Sequence, residues 1–328
     1  MKEVTINRND GGQRLDKFLL KYLTNMPEAM LYKSLRKKCV RVNGRHVTDG
    51  GFKLSEGDRL ALYLKDEFFE TNPDQTFLHI TPRLSILYED ENILLADKRP
   101  GIVVHASDAE TNSLIEHIKA YLYQKGEYDY TAEHAFAPAL CNRIDRNTGG
   151  IVIAAKNAEA LRIMNQKIKD REMQKLYLCI ACGYFAKKQD TLRGYLFKDE
   201  KANRVYIRQS ASPGAKTCIT RYRVLREQNG LSLVEVELIT GRTHQIRAHL
   251  ASIGHPLLGD GKYGRNAVNK QYGYTSQALY AYRLRFDFST PAGCLENLNG
   301  QTFTVQDVPF LTEFTNFSIA DPKSINSK

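Results

Sequence analysis

The stretch Gly241-Arg242-Thr243-His244-Gln245-Ile246-Arg247-Ala248-His249-Leu250 concentrates polar and charged side chains at one point of the chain. It lies between a predicted strand at residues 231–239 and a predicted helix at residues 245–253, which ends at Gly254. Helix N-termini bind anions such as phosphate, and Arg and Gln side chains contact phosphates and base edges. Because a solvated helix face does not require this density of such groups, the stretch predicts a functional site at a strand-to-helix junction.

A second segment, Asn142-Arg143-Ile144-Asp145-Arg146-Asn147-Thr148-Gly149-Gly150, sets one carboxylate between two arginines, directly before an apolar strand at residues 151–155. Guanidinium groups favour the ionised form of a nearby carboxylate, and an ionised carboxylate can act as a nucleophile at neutral pH. The two glycines allow close backbone approach or unusual dihedral angles. Asp145 is therefore a candidate nucleophile, and membership of a buried salt bridge is the alternative interpretation.

A third segment, Lys175-Leu176-Tyr177-Leu178, lies on a predicted strand at residues 176–181. Taken alone, its tyrosine indicates only a core or sheet-surface position. The strand follows a predicted helix that Asn157 can cap, and two earlier strands are predicted within residues 86–98. Since helices and strands alternate without regular βαβ units, the pattern predicts an α+β fold with a largely antiparallel sheet.

The first fifty residues hold eleven Lys or Arg and five Asp or Glu, so they carry +6 of the chain's net charge of +10. Helical spacing of apolar residues predicts one helix at residues 15–23, and a second is predicted at residues 27–38. A hairpin around Asn43-Gly44 and a strand at residues 58–64 follow. This compact, basic unit is typical of nucleic-acid-binding domains, although charge alone also fits a solvated basic helix face.

The composition of the whole chain agrees with a polyanionic partner. The net charge of +10 and the pI of about 9.2 favour nucleic acid or an anionic membrane surface. No apolar stretch approaches the roughly 18–20 residues of a membrane span, and the polar N-terminus lacks a signal core, so we expect a soluble, cytoplasmic protein without a membrane partner. The six cysteines include one C-x-x-C, Cys179 and Cys182, with no second pair to complete a zinc site. We therefore expect no metal.

The three segments together resemble the RluA/RluC/RluD family of pseudouridine synthases. The family hallmark His-Arg-Leu-Asp-Arg-x-Thr-Ser-Gly corresponds to residues 142–150, with Asn142 in place of His and Gly149 in place of Ser. Lys-x-Tyr corresponds to Lys175 and Tyr177, and Gly-Arg-Thr-His-Gln-Ile-Arg is matched in full at residues 241–247. The continuation at residues 254–260 also fits, and the resemblance spans roughly residues 84 to 310. Neither departure affects the nucleophile, so we expect activity to survive them.

The N-terminal unit resembles the alpha-L RNA-binding motif of the ribosomal protein S-four type. Its opening and closing patterns correspond to residues 14–19 and 40–44. Two-domain members of the family carry such a motif. The resemblance therefore implies an RNA-binding domain at residues 1–66, a linker at 67–83, a catalytic domain with the pseudouridine synthase fold at 84–318 and a flexible tail at 319–328.

The resemblance also implies roles for individual residues and an RNA substrate. Asp145 corresponds to the catalytic aspartate, Tyr177 to the ring against the target base and Arg247 to the ionic partner of the aspartate, with no cofactor. Arg143 is the candidate for filling the space that a flipped base leaves. Large-subunit ribosomal RNA is the expected substrate, transfer RNA is the alternative, and nothing in the sequence demands more than a monomer. The predicted RNA or substrate contacts are Arg143, Arg146, Thr148, Arg242, Thr243, His244 and Gln245 in the catalytic domain, and Arg14, Lys17, Lys33, Arg36, Lys37, Lys38 and Arg41 in the N-terminal domain.

Two other classes of protein share some of these features. A glycosidase also needs a carboxylate at an anomeric carbon, but it ordinarily uses two acids, and the residues around Asp145 are arginines and polar groups. A non-catalytic RNA-binding or ribosome-assembly factor would explain the basic N-terminal domain. It would not require the set of Asp145, Tyr177 and Arg247.

Overall fold

The computed structural model describes residues 1–69, 75–105, 112–202 and 204–316, which form a small N-terminal domain and a large domain, each with its own sheet and core. The tail predicted at residues 319–328 lies outside the described residues. The domain boundaries given above stay predictions. None of the helices in the described ranges has both the length and the apolar character needed to span a membrane.

The small domain packs two helices on a four-stranded antiparallel sheet with strand order β1-β4-β2-β3. Asn43 and Gly44 both have positive φ, +50° and +78°, as the tight hairpin turn between β2 and β3 requires. The predicted helices and hairpin are confirmed, whereas β1 was not predicted because only Val4 in it is buried. The elements are β1 (Lys2–Thr5), α1 (Leu15–Tyr22), α2 (Glu28–Arg36), β2 (Val40–Val42), β3 (Arg45–His46) and β4 (Arg59–Leu62).

The large domain is built on an eleven-stranded sheet whose main path runs β11-β10-β12-β13-β9-β14-β8-β6-β5, with β15 beside β14 and β7 beside β8. Among the described residues only β8 and β14 pair in parallel, so the predicted α+β fold with a mainly antiparallel sheet is confirmed. The strands are β5 (Ile86–Glu89), β6 (Ile93–Lys98), β7 (Ala139–Leu140), β8 (Gly149–Ala155), β9 (Met173–Cys182), β10 (Gln189–Asp199), β11 (Arg204–Arg208), β12 (Lys216–Gln228), β13 (Leu231–Leu238), β14 (Leu279–Phe286) and β15 (Thr302–Thr304).

Helices cover both faces of this sheet, which gives two cores. Helix α4, capped by Asn157 as predicted, packs on one face with α7, while α3 and α5 pack on the other. All seven residues of β8 are buried because the strand lies between the two layers. The helices are α3 (Leu114–Gln124), α4 (Ala158–Asp170), α5 (Gln245–Ser252), α6 (Asn266–Gln271) and α7 (Pro309–Asn316).

The predicted polar linker contains short 3₁₀ helices at Asp66–Phe69 and Thr76–His79, and residues 70–74 between them lie outside the described ranges. Phe77 is buried against the rings of Tyr123, Tyr128 and Tyr130. This part of the segment is therefore anchored to the large domain, which its polar composition did not indicate.

Direct hydrogen bonds hold the small domain on the large one. The side-chain amides of Asn7 and Asn9 donate to the two carboxylate oxygens of Glu133 at 3.1 and 2.6 Å. Arg162 on α4 donates to the carbonyl of Gly11 at 3.1 Å. These contacts set the orientation of the basic domain relative to the sheet that carries the candidate site.

Candidate active site

The loop that carries Asp145 is braced against β8 by Asn142. The Asn142 side chain accepts a hydrogen bond from the backbone N–H of Ile153 at 2.8 Å and donates to the carbonyl of Ile151 at 3.4 Å. The backbone N–H of Thr148 donates to the carbonyl of Asp145 at 3.0 Å and closes the turn. Asn142, one of the two departures from the family pattern, thus supports this loop through hydrogen bonds to the backbone of β8.

Two close approaches of the chain explain Gly149 and Gly150. A Cβ atom on Gly149 would lie 2.3 Å from the ring of Tyr280, whose hydroxyl donates to Asp97 at 2.7 Å. Gly150 has a φ of +112°, and a Cβ there would lie 2.2 Å from the carbonyl oxygen of Ala281. A serine at position 149 would therefore displace Tyr280, and glycine allows β8 and β14 to pair closely.

Lys98, the last residue of β6, also holds the loop that carries Asp145. Its Nζ donates to the carbonyl oxygens of Arg99, Ile102 and Arg146 at 3.0, 2.9 and 2.8 Å. Burial lowers the pKa of Lys98 to about 8, although the charge of Asp145 opposes the shift. The sequence analysis missed this residue, and the available signal was a lysine that closes an apolar strand just before Arg-Pro-Gly.

Arg247 on α5 joins Asp145 to a second carboxylate, Asp260. Its Nη1 donates to Asp145 Oδ2 at 2.8 Å, and its Nε and Nη2 donate to the two oxygens of Asp260 at 2.7 and 3.0 Å. Burial disfavours ionisation of Asp260, but the hydrogen bonds and charge of Arg247 outweigh it, so the pKa of Asp260 is lowered. Asp260 is fully buried and Asp145 keeps 28% of its side chain exposed. The bidentate pair therefore fixes the guanidinium, which presents an N–H of Nη1 to Asp145.

His244, the residue before α5, approaches the same carboxylate oxygen of Asp145 as Arg247 does. Its Nε2 is 3.8 Å from Asp145 Oδ2, and its Nδ1 is 3.1 Å from the hydroxyl of Tyr263. That hydroxyl accepts the backbone N–H of Val205 at 2.9 Å. When the hydroxyl donates its own proton to His244 Nδ1, the N–H of the neutral ring is on Nε2, the nitrogen that faces Asp145. Burial lowers the pKa of His244 even though Asp145 opposes the shift, which favours this neutral form.

These groups line a cavity of about 510 Å³ between β9, the Asp145 loop and the start of α5. Tyr177 lines it from β9 and is 6% exposed, and burial, with the charge of Asp145, raises the pKa of its hydroxyl. Segments far apart in sequence thus place a carboxylate, its guanidinium partner and an aromatic ring in one cavity. Across the described ranges, no group of three or more His, Cys, Asp or Glu side chains is placed to share a metal ion.

The other predicted contacts of the large domain fall into two groups. Arg143 and Arg242 are exposed and line the cavity, as does Thr243. Thr148 and Gln245 are each 2% exposed. The Gln245 amide donates to Ile219 and Thr220 and accepts from Thr240 and Arg242, so it braces the cavity wall. Arg146 is exposed but does not line the cavity. Contact with RNA stays a prediction for all of these residues.

In the small domain, the predicted RNA contacts are mostly exposed. Lys17 is exposed, and so are the four cations of the α2 surface: Lys33 and Arg36 on α2, and Lys37 and Lys38 directly after it. Arg14 instead pairs with the buried carboxylate of Asp16 at 2.6 Å, and Arg41 stacks over the ring of Tyr63.

Comparison with known proteins agrees with this arrangement. Residues 92–252 match the RNA pseudouridylate synthase family, and residues 13–60 match the S4 domain. Ribosomal large subunit pseudouridine synthase C of Haemophilus ducreyi is 33% identical over 294 residues, which cover 86% of this chain and 87% of the relative. The chain belongs to the RNA pseudouridine synthase family. The synthase is therefore an isomerase with an N-terminal S4 RNA-binding domain, and the resemblance drawn from the three segments is confirmed.

Further relatives and solved structures are consistent with this assignment. Ribosomal large subunit pseudouridine synthase C of Vibrio cholerae is 31% identical over 293 residues, covering 86% of this synthase and 88% of the relative. An RNA pseudouridine synthase of Aquifex aeolicus is 33% identical over 265 residues, covering 77% of each chain. The structure of human RNA pseudouridylate synthase domain containing 4 superposes with a TM-score of 0.54 at 21% identity, over 70% of this chain and 90% of that one. This last likeness confirms the fold of the synthase domain.

Proposed function

We propose that this synthase isomerises specific uridines of large-subunit ribosomal RNA, with Asp145 as the carboxylate that acts on the ribose. The observation that carries the proposal is the chain of contacts from buried Asp260 through Arg247 to partly exposed Asp145, which lines one cavity together with Tyr177. Two relatives that span most of the chain are named for the large ribosomal subunit. Transfer RNA is the alternative substrate, and one chain supplies every residue of the proposed site, in keeping with a monomer.

The reaction needs no oxidant and no second substrate because product and substrate are isomers. The bond from C1′ to N1 breaks, the uracil turns, and a bond from C1′ to C5 forms. N1 gains a proton and C5 loses one. Asp145 either attacks C1′ directly or removes a proton from the sugar on a glycal route, and in both routes it acts as an oriented, ionised carboxylate.

Arg247 orients the carboxylate of Asp145. A guanidinium held by two bonds to Asp260 offers a third N–H in a set direction, so Asp145 does not have to be ordered when the substrate binds. His244 approaches the same oxygen, Oδ2, as Arg247 does. Asp145 still keeps 28% of its side chain exposed, and it lines the cavity.

Access to the cavity requires base flipping, which costs a few kcal/mol in a folded RNA. Tyr177 offers an aromatic face, and base–aromatic stacking contributes about 1–3 kcal/mol. Exposed Arg143, next to the Asp145 loop, is placed to enter the space that the base leaves. The S4 domain adds phosphate contacts that orient the RNA without taking part in the chemistry.

The test is a map of pseudouridines in total RNA from cells with and without this gene, followed by re-expression of wild type, Asp145→Asn and the exposed control Asp287→Asn. We expect particular sites in large-subunit ribosomal RNA to disappear, and to return with wild type and the control only. Asp145→Asn protein must show an unchanged melting temperature. If the pseudouridines that depend on the gene lie in transfer RNA, then transfer RNA is the substrate. If Asp145→Asn restores all of these pseudouridines, the catalytic role of Asp145 is wrong and the protein is an RNA-binding factor.

A further inference from the structure

Three cations around the turn between α4 and β9 line the cavity, here called the basic corner: Lys169 near the end of α4, Arg171 in the turn and Lys175 on β9. Lys169 and Arg171 are exposed and Lys175 is half-buried. Of the side chains that line the cavity, only Asp145 is a carboxylate, and Arg247 already pairs with it. In the described part of the chain the three cations form no ion pair. The basic corner is thus positive charge that the protein itself does not balance.

Hydrogen bonds next to Arg171 fix the backbone of the corner. Arg171 ends α4 in the left-handed region, with a φ of +63°. The next residue, Glu172, is buried and accepts hydrogen bonds from Lys167 at 2.6 Å, from the Ser289 hydroxyl at 2.9 Å and from the Thr290 hydroxyl at 2.8 Å. These bonds hold the backbone on which Arg171 stands. A ligand at the corner therefore binds without having to order the turn. At flexible binding sites, ordering the chain is a substantial part of the free-energy cost of binding.

The acidic residues of the turn are directed away from the cavity. Asp170 accepts a hydrogen bond from the Gln166 side chain at 2.6 Å, one turn back along α4, and Glu172 is held by Lys167. Neither residue lines the cavity. The turn therefore separates its charges, with cations toward the site and carboxylates away from it.

Strand geometry relates the corner to the base-binding face. Lys175 and Tyr177 are two residues apart on β9 and both line the cavity, and two residues of strand rise about 7 Å. Flipping turns a nucleotide about its own backbone, so a uracil against Tyr177 leaves its flanking phosphates at the mouth of the cavity. Lys175, on the same strand as Tyr177, and Lys169 and Arg171 beside it in the cavity lining are the cations available to those phosphates.

The burial of Lys175 also favours an anion at the basic corner. Burial lowers the pKa of Lys175 because the protein supplies no opposite charge. A phosphate oxygen would supply that charge, and it would also accept the N–H groups of the ammonium. The half-buried position is therefore better satisfied with an anion in place.

We propose that the basic corner binds the backbone phosphates that flank the flipped uridine, with Lys175 on the phosphate of the target nucleotide and Lys169 and Arg171 on its neighbour. The inference rests on the proposed function, since it places a flipped base against Tyr177. It assigns the α4–β9 turn, which is remote from the S4 domain in sequence, a direct part in holding the substrate.

The first experiment measures the affinity of the full-length protein for transcribed large-subunit ribosomal RNA as a function of salt. Log K falls as log salt rises, and each lost phosphate contact makes this slope shallower by about 0.7–0.9. We expect that change for Lys175→Met, about twice that change for Lys169→Ala/Arg171→Ala, and recovery for Lys175→Arg. Lys270→Ala, an exposed charge on α6 away from the cavity, is the matched control. Unchanged slopes in correctly folded corner variants would overturn the proposal.

A second experiment identifies the phosphate. A stem-loop that contains the mapped uridine is made with an uncharged methylphosphonate at the target phosphate. Wild type should bind this RNA about tenfold more weakly than the unmodified one, and Lys175→Met should bind both equally, because the contact is already absent. Additive losses would exclude the contact. Failure of the proposed function is seen separately, as a pseudouridine map that Asp145→Asn restores.

Discussion

The cavity of the large domain and the α2 surface of the small domain are both rich in cations, but these cations differ in burial and in pairing. In the cavity Arg247 is 7% exposed and lies between Asp145 and Asp260. On α2 the cations are exposed, and in the described ranges they have no carboxylate partner. Charges in water are screened within about 10 Å at 0.1 M salt, whereas buried pairs are screened much less. The α2 surface is therefore suited to salt-sensitive affinity, and the cavity to salt-insensitive orientation.

The basic corner lies between these two extremes. Its exposed members resemble the α2 cations, and half-buried Lys175 resembles the cavity charges except that its partner must come from outside the protein. The difference among the three places is the amount of water around each cation, which depends on packing rather than on residue type.

The largest effect that tests this contrast is expected for Arg247→Met. The variant leaves Asp260 buried without its partner, so we expect the free energy of unfolding to fall by about 3–5 kcal/mol. Turnover should fall by at least about 100-fold because Asp145 loses its orientation. Urea denaturation and single-turnover kinetics measure the two effects.

The matched control is Arg223→Met, which removes an exposed arginine paired with Glu235 at 2.9 Å. Exposed pairs contribute about 0–1 kcal/mol, and neither member of this pair lines the cavity. Arg247→Lys should recover part of the stability but not the bidentate geometry. Equal losses for Arg247→Met and Arg223→Met would remove the distinction between buried and exposed charge.

The next largest effect concerns Lys98 and depends on pH. Its pKa is about 8 in the folded protein, against 10.5 for an ordinary lysine. Between these values the unfolded chain binds the proton that the folded chain has released, so the stability of wild type rises with pH across this window. Relative to Lys98→Met, wild type should gain up to about 3 kcal/mol from pH 8 to pH 10.5. Denaturation of both proteins across this range measures the difference, and a constant gap would contradict the buried position of the charge.

The smallest effect on the chemistry is expected at the α2 surface. Replacing Lys33, Arg36, Lys37 and Lys38 with Ala should weaken RNA binding and make the salt slope shallower by up to about 3.6, since each of four phosphate contacts contributes about 0.7–0.9. The single-turnover rate of the bound complex should remain within about twofold, because these residues do not line the cavity. Alanine at the exposed charges Lys187, Arg226, Arg265 and Lys270 serves as the control for net charge. A slower bound step with normal affinity would reverse the division of labour between the two domains.

The local pattern of the sequence was sufficient for some elements and insufficient for others. Helices α1 and α4 and the hairpin at Asn43-Gly44 follow from apolar spacing, a cap and a turn, each of which involves only a few adjacent residues. Strand β1 and the long strand β12 were missed. Each has few buried residues, and each is held in place by pairing with another strand.

The candidate site divides in the same way. The three segments that hold Asp145, Tyr177 and Arg247 were found from sequence, and the structure brings them into one cavity. The structure alone located Lys98 under the Asp145 loop and directed the amide of Gln245 into the cavity wall. Such details depend on which backbone carbonyls converge in space, and adjacent residues in the sequence carry no information on that.

The sequence by itself determined the family, the mainly antiparallel α+β class and a basic N-terminal RNA-binding unit, because these depend on residue types in order along the chain. Only the tertiary structure decided how each charge is used. Arg247 and Lys33 are both cations in a list of residues, but one is enclosed by two carboxylates and the other faces water. The physical reason is that desolvation and pairing depend on the packing of distant segments, and they determine whether a cation orients a carboxylate or attracts a phosphate.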